Sequence, residues 1–382
     1  MDTSQRTILL GANQSQIDYY QALVKQHGTP LLEYRPSVLK AQYQALSKAL
    51  PGVDLYYAVK AHPDPNIIRT IDELGGGFDV ASAGEMDLLL EHKVSGRRTI
   101  HTHPIKKDSE IRDALRFGST TFVVDNLHEL RKLEAYRSRV GVLLRVSFRS
   151  ESAQVDLSRK FGCEVNEVAE IVNQAEQLGI HVKGLSFHVG SQCVNSDKHC
   201  QAIIACRDLM VEINKTAKRP MSMLDIGGGF PADYQLTGFD IHAFCKPIYQ
   251  ALSSLPSDWH LLAEPGRYLI APAVTSITSV TGKSKRSGVN WYYLDDGVYG
   301  SYSGQIFDHT VYPIQVLKTG TTKPCILAGP TCDSIDVIAE NIDLPELQIG
   351  DLVLGLQMGA YTAATKTRFN SIADAKFVVA IP

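Results

Sequence analysis

Short apolar runs alternate with helix-like segments through the first two thirds of the chain. Eight of these runs lie at residues 54–60, 77–82, 99–103, 121–125, 140–147, 182–188, 223–227 and 260–264. The segments between them, including residues 66–74 and 166–179, carry apolar residues at helical spacing. Eight strand–helix repeats over about 230 residues predict an α/β fold, a (β/α)8 barrel. An open, doubly wound sheet has the same repeat and is the alternative at this point.

The pattern changes near residue 272. Short β-branched runs punctuated by glycine, proline and aspartate follow at residues 273–282, 289–297, 323–329 and 351–359, and they predict a mainly β domain. Before the barrel, residues 15–28 have an amphipathic helical pattern and residues 30–34 a strand-like one. We therefore predict an N-terminal segment that packs with the β domain (residues 1–35), a barrel (36–272) and a β domain (273–382).

Composition narrows the class of function. The chain has 38 basic and 41 acidic residues, a formal net charge of -3, and no block of like charge that would attract nucleic acid or an anionic membrane. It contains no apolar run of the roughly 18 residues needed to span a bilayer. Seven cysteines without CxxC spacing argue against a disulfide framework and a zinc cluster. We expect a cytoplasmic protein that binds no metal.

Lys60 stands at the end of the apolar run "LYYAV". A lysine at the end of a buried strand most often extends its ammonium into water. Partial burial, however, lowers the pKa of a lysine amine and makes the amine a nucleophile toward a carbonyl. Because the C-terminal ends of barrel strands form the active site, the residues at the other strand ends decide between the two interpretations.

Those other strand ends are unusually polar. Gly227, Gly228 and Gly229 offer backbone N–H groups that can approach a phosphate, although such a turn alone is more often free of ligand. Arg267 supplies a cation for the same anion, and Glu264 supplies a carboxylate. A nucleophilic lysine, a phosphate-binding turn and a carboxylate for a protonated pyridine nitrogen are together the requirements of pyridoxal 5'-phosphate (PLP).

Nine motifs carry a resemblance to a known enzyme family. They are "YYAVKAHPD", "GFDVASAGE", "SRKFG", "FHVGSQC", "LDIGGGFP", "AEPGRYLIAPA", "DDGVYGSY", "GPTCDSIDVI" and "MGAYTAA". In this order they resemble the fold type III PLP-dependent decarboxylases, the ornithine, diaminopimelate and arginine decarboxylase family, and most closely its ornithine decarboxylases. The resemblance implies an alanine racemase-like barrel with a β domain, PLP as cofactor, and a homodimer whose active sites are shared between subunits.

The resemblance also implies roles for single residues. Lys60 would be linked covalently to the cofactor, Glu264 would pair with its ring nitrogen, and His188 would stack on its ring. The residues that would hold the phosphate are Ser191, Gly227, Gly228, Gly229, Arg267 and Tyr361.

Three further barrel residues complete the implied cofactor set. Asp79 and Glu85 match the acidic residues near the ring and the lysine, and Arg145 lies on the fifth predicted strand. Taken singly, Asp79 would be a turn cap, Glu85 a surface carboxylate and His188 a core histidine. Their occurrence together and in register favours the functional interpretation.

The β domain would supply the substrate-binding half of the site. Cys332 would protonate the carbon that has lost carbon dioxide, and Asp333 would bind the distal ammonium of the substrate, with Asp296 as a second candidate. In the resembling enzymes the Cys–Asp pair reaches the site of the partner subunit. By itself a free cysteine is more often inert packing, and an aspartate beside glycine is more often a turn residue.

The implied reaction is decarboxylation of a basic L-amino acid. L-Ornithine, giving putrescine for polyamine biosynthesis, ranks first; L-lysine, alone or together with ornithine, ranks second; and a larger conjugated amine ranks third. Asp333 argues against diaminopimelate, since the diaminopimelate enzymes resemble "CES" there. Residues 150–162, which would shape the distal pocket, resemble bacterial ornithine enzymes. His62, in place of asparagine, and "FNSI", in place of "FNG", depart from the family pattern.

A cofactor-free regulator of a polyamine enzyme is the alternative from another class of protein. Such a regulator has no need of an amine nucleophile, a proton donor or a phosphate site. Lys60, Cys332 and the full phosphate-binding set are present, and they favour the enzyme.

Overall fold

The computed structural model describes residues 6–148 and 160–380. Its strands are β1 Ile8–Leu10, β2 Leu31–Tyr34, β3 Val53–Ala58, β4 Gly77–Val80, β5 Thr99–His101, β6 Thr121–Val124, β7 Gly141–Arg145, β8 His181–Ser186, β9 Met223–Asp225, β10 His260–Ala263, β11 Val274–Arg286, β12 Val289–Leu294, β13 Ile314–Val316, β14 Thr322–Ala328, β15 Val337–Pro345, β16 Leu352–Gly355 and β17 Lys376–Val379. Its α-helices are α1 Gln14–His27, α2 Pro36–Ala49, α3 Pro65–Glu73, α4 Ala83–Glu91, α5 Asp108–Phe117, α6 Leu127–Lys132, α7 Val168–Gln177, α8 Asp197–Asn214, α9 Ile241–Leu252, α10 Arg267–Ile270 and α11 Gly304–Phe307.

The chain forms two compact units. The first, called the barrel unit, comprises Lys40–Pro231 and Asp240–Tyr268. The second, called the sheet unit, comprises the chain up to Leu39, the short segment Ala232–Phe239, and the chain from Leu269 onward. The sequence pattern did not distinguish Ala232–Phe239 from the barrel around it.

The barrel unit is built on a closed parallel barrel of eight strands, β3 to β10. The barrel closes where β10 pairs with β3, with Leu261 opposite Val53. Ile100, Val123, Leu143 and Leu262 come from four of these strands and form a buried apolar cluster. The predicted (β/α)8 barrel is thus confirmed, and an open sheet is excluded because β3 and β10, the first and last of the eight strands, pair with each other.

Local signals in the sequence account for where the barrel helices begin and end. Pro65 occupies the first turn of α3, and the Asp64 side chain caps it by accepting the backbone N–H of Asn66 at 2.8 Å. At the C-terminal end of α5, Gly118 adopts a left-handed φ of 104°, a conformation that favours glycine.

All eight predicted strand ends lie one or two residues too far along the chain, and two of them show why. Ser82 is not in β4 but caps α4 by accepting the backbone N–H of Glu85. Lys60 is not in β3, which ends at Ala58, but in the 3₁₀ turn Val59–Ala61. Both corrections have one cause: apolar periodicity continues past the last ladder hydrogen bond, so the pattern does not mark where strand pairing stops.

The sheet unit contains a nine-stranded sheet in the order β1-β13-β16-β11-β12-β14-β15, and β2 pairs with both β11 and β17. Strands β1 and β2, from the N-terminal residues, are therefore part of this sheet. Tyr20 and Leu23 of α1 pack against Leu31, Ile277 and Leu354 in a buried cluster. In the part of the chain that the structure describes, every helix is too short or too polar to cross a bilayer.

Candidate active site

Lys60 lies directly after β3, and its amine is held by a buried carboxylate. Its Nζ donates to Asp79 Oδ2 at 2.6 Å, while the Thr102 hydroxyl donates to the other oxygen of Asp79. Asp79 is fully buried, whereas the Lys60 side chain is 39% exposed. The amine is therefore positioned by the protein yet accessible to a carbonyl compound from solvent, which is what a nucleophilic lysine requires.

Two more carboxyl groups are buried at neighbouring strand ends. Asp225 ends β9 and Glu264 follows β10, and the two side chains interact. Burial and the nearby Asp225 and Asp79 raise the pKa of Glu264 well above its ordinary value, and burial raises the pKa of Asp225 to about 6. Carboxyls crowded in this way retain protons unless a cation lies against them, so this end of the barrel suits a positively charged group.

Glu85 is a fourth acid in the same region. Its Oε2 accepts the backbone N–H of Ala81 at 2.6 Å. Burial raises the pKa of Glu85 to about 7, the Asp79 charge adds to this effect, and the Ala81 hydrogen bond and the Lys60 cation oppose it.

Glu85 should make the cofactor-free protein less stable as pH rises. An unfolded glutamate loses its proton near 4.5, whereas folded Glu85 keeps its proton up to about 7. The free energy of unfolding therefore falls through this window, by on the order of 1–3 kcal/mol, and the contribution is fully present only below it. In Glu85→Gln the fall between about pH 5 and about pH 8 should be smaller by that amount in urea unfolding of the cofactor-free protein. An identical slope in the variant would contradict the assignment.

His188 follows β8 and is partly buried. Its Nδ1 accepts the backbone N–H of Gly190 at 3.1 Å, which leaves the ring hydrogen on Nε2. Burial, with the Arg145 and Lys60 cations, lowers the pKa of His188 well below its ordinary value. The ring is therefore neutral near pH 7. Arg145 ends β7, and its guanidinium carbon lies 5.6 Å from the centre of the Phe161 ring.

Gly227, Gly228 and Gly229 form the turn after β9, and no side chain fits in it. A Cβ at Gly228 would lie 2.7 Å from the Glu264 carbonyl oxygen, and one at Gly229 would lie 2.6 Å from the Gly190 carbonyl oxygen. Gly227 and Gly229 also have left-handed φ values of 66° and 93°. Within residues 6–148 and 160–380, nothing accepts a hydrogen bond from the backbone N–H of Gly228 or Gly229.

Ser191 and Arg267 add side-chain donors beside this turn. The buried Arg267 donates from Nη2 to Ser191 Oγ at 2.8 Å. Ser191 directly follows Gly190, whose carbonyl touches the turn, and Arg267 follows Glu264 by three residues. A guanidinium, a hydroxyl and backbone N–H groups form a donor set suited to a phosphate.

The remaining predicted residues lie in the sheet unit. Cys332 is exposed, and its backbone N–H donates to Asn370 Oδ1 at 3.0 Å. The Tyr299 hydroxyl donates to Asp333 Oδ2 at 2.5 Å, and this hydrogen bond holds the pKa of Asp333 below its ordinary value. Tyr299 also stacks on Phe369, with ring centres 4.6 Å apart. Asp333 is therefore an ionised, partly exposed carboxylate in a defined position.

Asp296 and Tyr361 have different surroundings. Asp296 is buried, and its Oδ1 accepts the backbone N–H groups of Gly297 and Ser301 at 2.8 and 3.0 Å. Burial raises the pKa of Asp296 to about 6. Tyr361 has a left-handed φ of 54°, an uncommon conformation for a residue with a side chain. Most of residues 150–162, predicted to shape the distal pocket, lie outside the described residues; Lys160, Phe161 and Gly162 are inside them.

Comparison with known proteins decides the family. Residues 37–271 match the family described as "Pyridoxal-dependent decarboxylase, pyridoxal binding domain". The chain belongs to this family. It is 37% identical to the lysine/ornithine decarboxylase of Selenomonas ruminantium over 92% of this chain and 89% of that protein. It is also 35% identical to antizyme inhibitor 2 of Xenopus laevis, over 88% of this chain and 77% of that protein.

A solved decarboxylase is similar over nearly its whole length. The lysine/ornithine decarboxylase of Vibrio vulnificus complexed with cadaverine is 48% identical, with a TM-score of 0.93, over 97% of this chain and 100% of that one. Its complex with putrescine is 49% identical, with a TM-score of 0.92, over 96% and 99%. The predicted fold type III PLP-dependent decarboxylase is confirmed. The protein is an enzyme that uses PLP to decarboxylate a basic amino acid.

The residues of this pyridoxal-dependent decarboxylase fit the cofactor. The cofactor carries an aldehyde, which needs an accessible amine to bind covalently, and Lys60 provides one. Glu264, whose crowded carboxyl keeps its proton when no cation is near, would ionise against a cationic ring nitrogen and pair with it as a carboxylate. The N–H groups of Gly228 and Gly229 match an anion such as a phosphate.

Several residues in these clusters were not predicted from the sequence. Asp225, Thr102 and Tyr299 are ordinary polar residues in their local context, an aspartate before a glycine turn being most often a cap. Only their contacts with Glu264, Asp79 and Asp333 distinguish them. The motif "LDIGGGFP" was a signal for Asp225, and "DDGVYGSY" was one for Tyr299.

Proposed function

We propose that this decarboxylase acts on L-ornithine as its first substrate and on L-lysine as its second. The observation that carries the proposal is Asp333, a partly exposed carboxylate with a lowered pKa that is oriented by Tyr299. Such a group suits the terminal ammonium of either amino acid. Its carboxylate would be left unpaired by an uncharged analogue, so uncharged side chains should be rejected.

The substrate preference should be graded, because ornithine and lysine differ by one methylene group. A difference of that size is worth about 1–3 kcal/mol in a pocket. The two Vibrio structures support activity on both amino acids, since one is complexed with putrescine and the other with cadaverine.

Within the barrel unit, we propose that the residues act as follows. Lys60 Nζ would hold the cofactor covalently, and Asp79 would accept and return the proton of that amine. Glu264 would pair with the ring nitrogen, the neutral His188 would lie against the ring, and Asp225 would support Glu264. When bound, PLP supplies the sink for the electron pair left when carbon dioxide departs.

Cys332 and Asp333 are proposed to complete the site from a second subunit. Asp333 orients the substrate, and the Cys332 Sγ–H gives its proton to the carbon that carried the carboxylate. Three observations support an interface here: Cys332 is exposed, Ile335 is exposed beside it, and Ile335 lines a cleft of about 540 Å³ that also contains Ile306 and Ile338. We propose that Asp296, by contrast, organises its own loop, because its Oδ1 already accepts two backbone N–H groups.

The test is release of carbon dioxide from single substrates. Ornithine should give the highest kcat/KM, lysine should follow within about 100-fold, and arginine and meso-diaminopimelate should be slower still. Tyr299→Phe serves as a matched variant, because it removes only the hydroxyl that orients Asp333; it should raise KM for both diamino acids more than it lowers kcat. A highest kcat/KM with arginine or diaminopimelate would overturn the proposed specificity. If none of these four amino acids released carbon dioxide, the proposed function would be wrong.

A further inference from the structure

The glycine turn after β9 has each of its carbonyl groups bound by the protein. The Gly227 oxygen accepts the backbone N–H of Glu264 at 2.8 Å, and the Gly229 oxygen accepts the backbone N–H of Cys193 at 3.0 Å. The Gly228 oxygen lies 3.0 Å from Nε2 of His199, a residue of α8. Two of the three partners are thus backbone groups, which any sequence could supply, and the third is a particular side chain.

The donor and acceptor in the third contact are decided by chemistry. A carbonyl oxygen can only accept, so His199 carries a hydrogen on Nε2. Burial lowers the pKa of His199 to about 4, so the ring is neutral near pH 7 and its Nδ1 is an acceptor. The ring is fully buried among Phe187, Phe230 and Phe244, with centre distances of 6.5, 5.3 and 6.1 Å. Among the described residues Nδ1 has no hydrogen-bond partner.

Peptide geometry links these carbonyls to the N–H groups of the turn. In a planar trans peptide the C=O of one residue and the N–H of the next point in opposite directions. The Gly227 carbonyl therefore orients the Gly228 N–H, and the Gly228 carbonyl orients the Gly229 N–H. These are the two N–H groups that have no acceptor within the described residues. Glycine peptides rotate easily because no Cβ restricts them, so an external donor is needed to hold each plane.

We propose that His199 is a positioning residue for the cofactor phosphate: by donating to the Gly228 carbonyl, it keeps the Gly229 N–H directed at the anion. The inference rests on the proposed role of the glycine turn in holding that phosphate. Removing the donor leaves a buried carbonyl unsatisfied, and rotation of the peptide to find another partner would take the Gly229 N–H out of position.

The test compares PLP with pyridoxal, which has the same aldehyde and ring but no phosphate. Both are titrated into the cofactor-free protein, and the ratio of their dissociation constants measures what the phosphate contributes. His199→Phe removes the donor and keeps aromatic packing, whereas His199→Gln keeps an N–H donor and loses the aromatic ring. We expect the phosphate advantage to fall about tenfold in the Phe variant and to persist in the Gln variant, with pyridoxal affinity little changed in both.

A loss only in the Gln variant would assign the effect to aromatic packing, and equal losses in both variants would show that an N–H donor at this position does not preserve the phosphate advantage. Either result would overturn the proposal. If His199→Phe still bound PLP more tightly than pyridoxal by the ratio of the unsubstituted protein, the role of His199 would be refuted but the phosphate site would not. Equal affinity of the unsubstituted protein for PLP and pyridoxal would instead refute the phosphate site on which the inference rests. Nitrogen-15 NMR of the unsubstituted protein gives an answer that needs no variant: the Nε2–H tautomer of His199 is expected, and the Nδ1–H tautomer would overturn the proposal.

Discussion

Lys60→Ala should abolish decarboxylation, with a loss of at least about 10³-fold in kcat. When several residues act as one catalytic unit, removing any one of them removes most of the rate enhancement. The amine is the proposed nucleophile for the cofactor aldehyde, and alanine offers no group that can replace it. The fold should be retained, since the lysine side chain is 39% exposed and the Thr102 hydroxyl still donates to Asp79. Activity is measured as carbon dioxide released from ornithine.

Lys40→Ala is the matched control, since Lys40 is a lysine of similar exposure that forms an ion pair in the same unit, with Glu73 at 2.9 Å. It should retain the activity of the unsubstituted protein. Borohydride reduction followed by peptide mass analysis should find the cofactor on Lys60 in the unsubstituted protein. Turnover by Lys60→Ala at the rate of the Lys40→Ala control, or cofactor fixed on a different lysine, would refute the assignment.

Mixing two inactive variants should restore activity. Lys60→Ala damages the barrel unit and Cys332→Ala damages the sheet unit, so each alone should be inactive in a dimer with shared sites. In a mixed dimer one site carries both defects and the other carries neither. Random exchange makes half of the dimers mixed, so activity should approach about one quarter of that of the unsubstituted enzyme.

A second mixture provides the control. Lys60→Ala and Glu264→Ala both damage the barrel unit, so every site in their mixed dimers has one defect and no activity should return. Subunit exchange is verified by native mass spectrometry of differently labelled chains. If exchange is complete and the first mixture stays inactive, each site is built from one chain and the shared-site proposal is wrong.

The sequence by itself determined the fold class and the family. Eight apolar runs separated by helical periodicity predicted the barrel, and glycine and proline spacing predicted the mainly β part, because burial and backbone preference act over a few neighbouring residues. The motifs around Lys60, Gly227–Gly229 and Glu264 predicted the cofactor, since PLP demands an amine, an anion site and a carboxylate together.

Only the tertiary structure decided how these groups act on one another. Lys60 and Asp79 are 19 residues apart, His199 and Gly228 are 29 apart, and Tyr299 and Asp333 are 34 apart. Their meeting depends on strand register, barrel closure and loop conformation, which are set by packing across the whole unit. The raised pKa of Glu264 and the neutral state of His199 follow from the same burial. The sequence shows which residue types are present, but not which of them are buried or which are hydrogen-bonded to one another. These pKa shifts and contacts could therefore not be predicted from it.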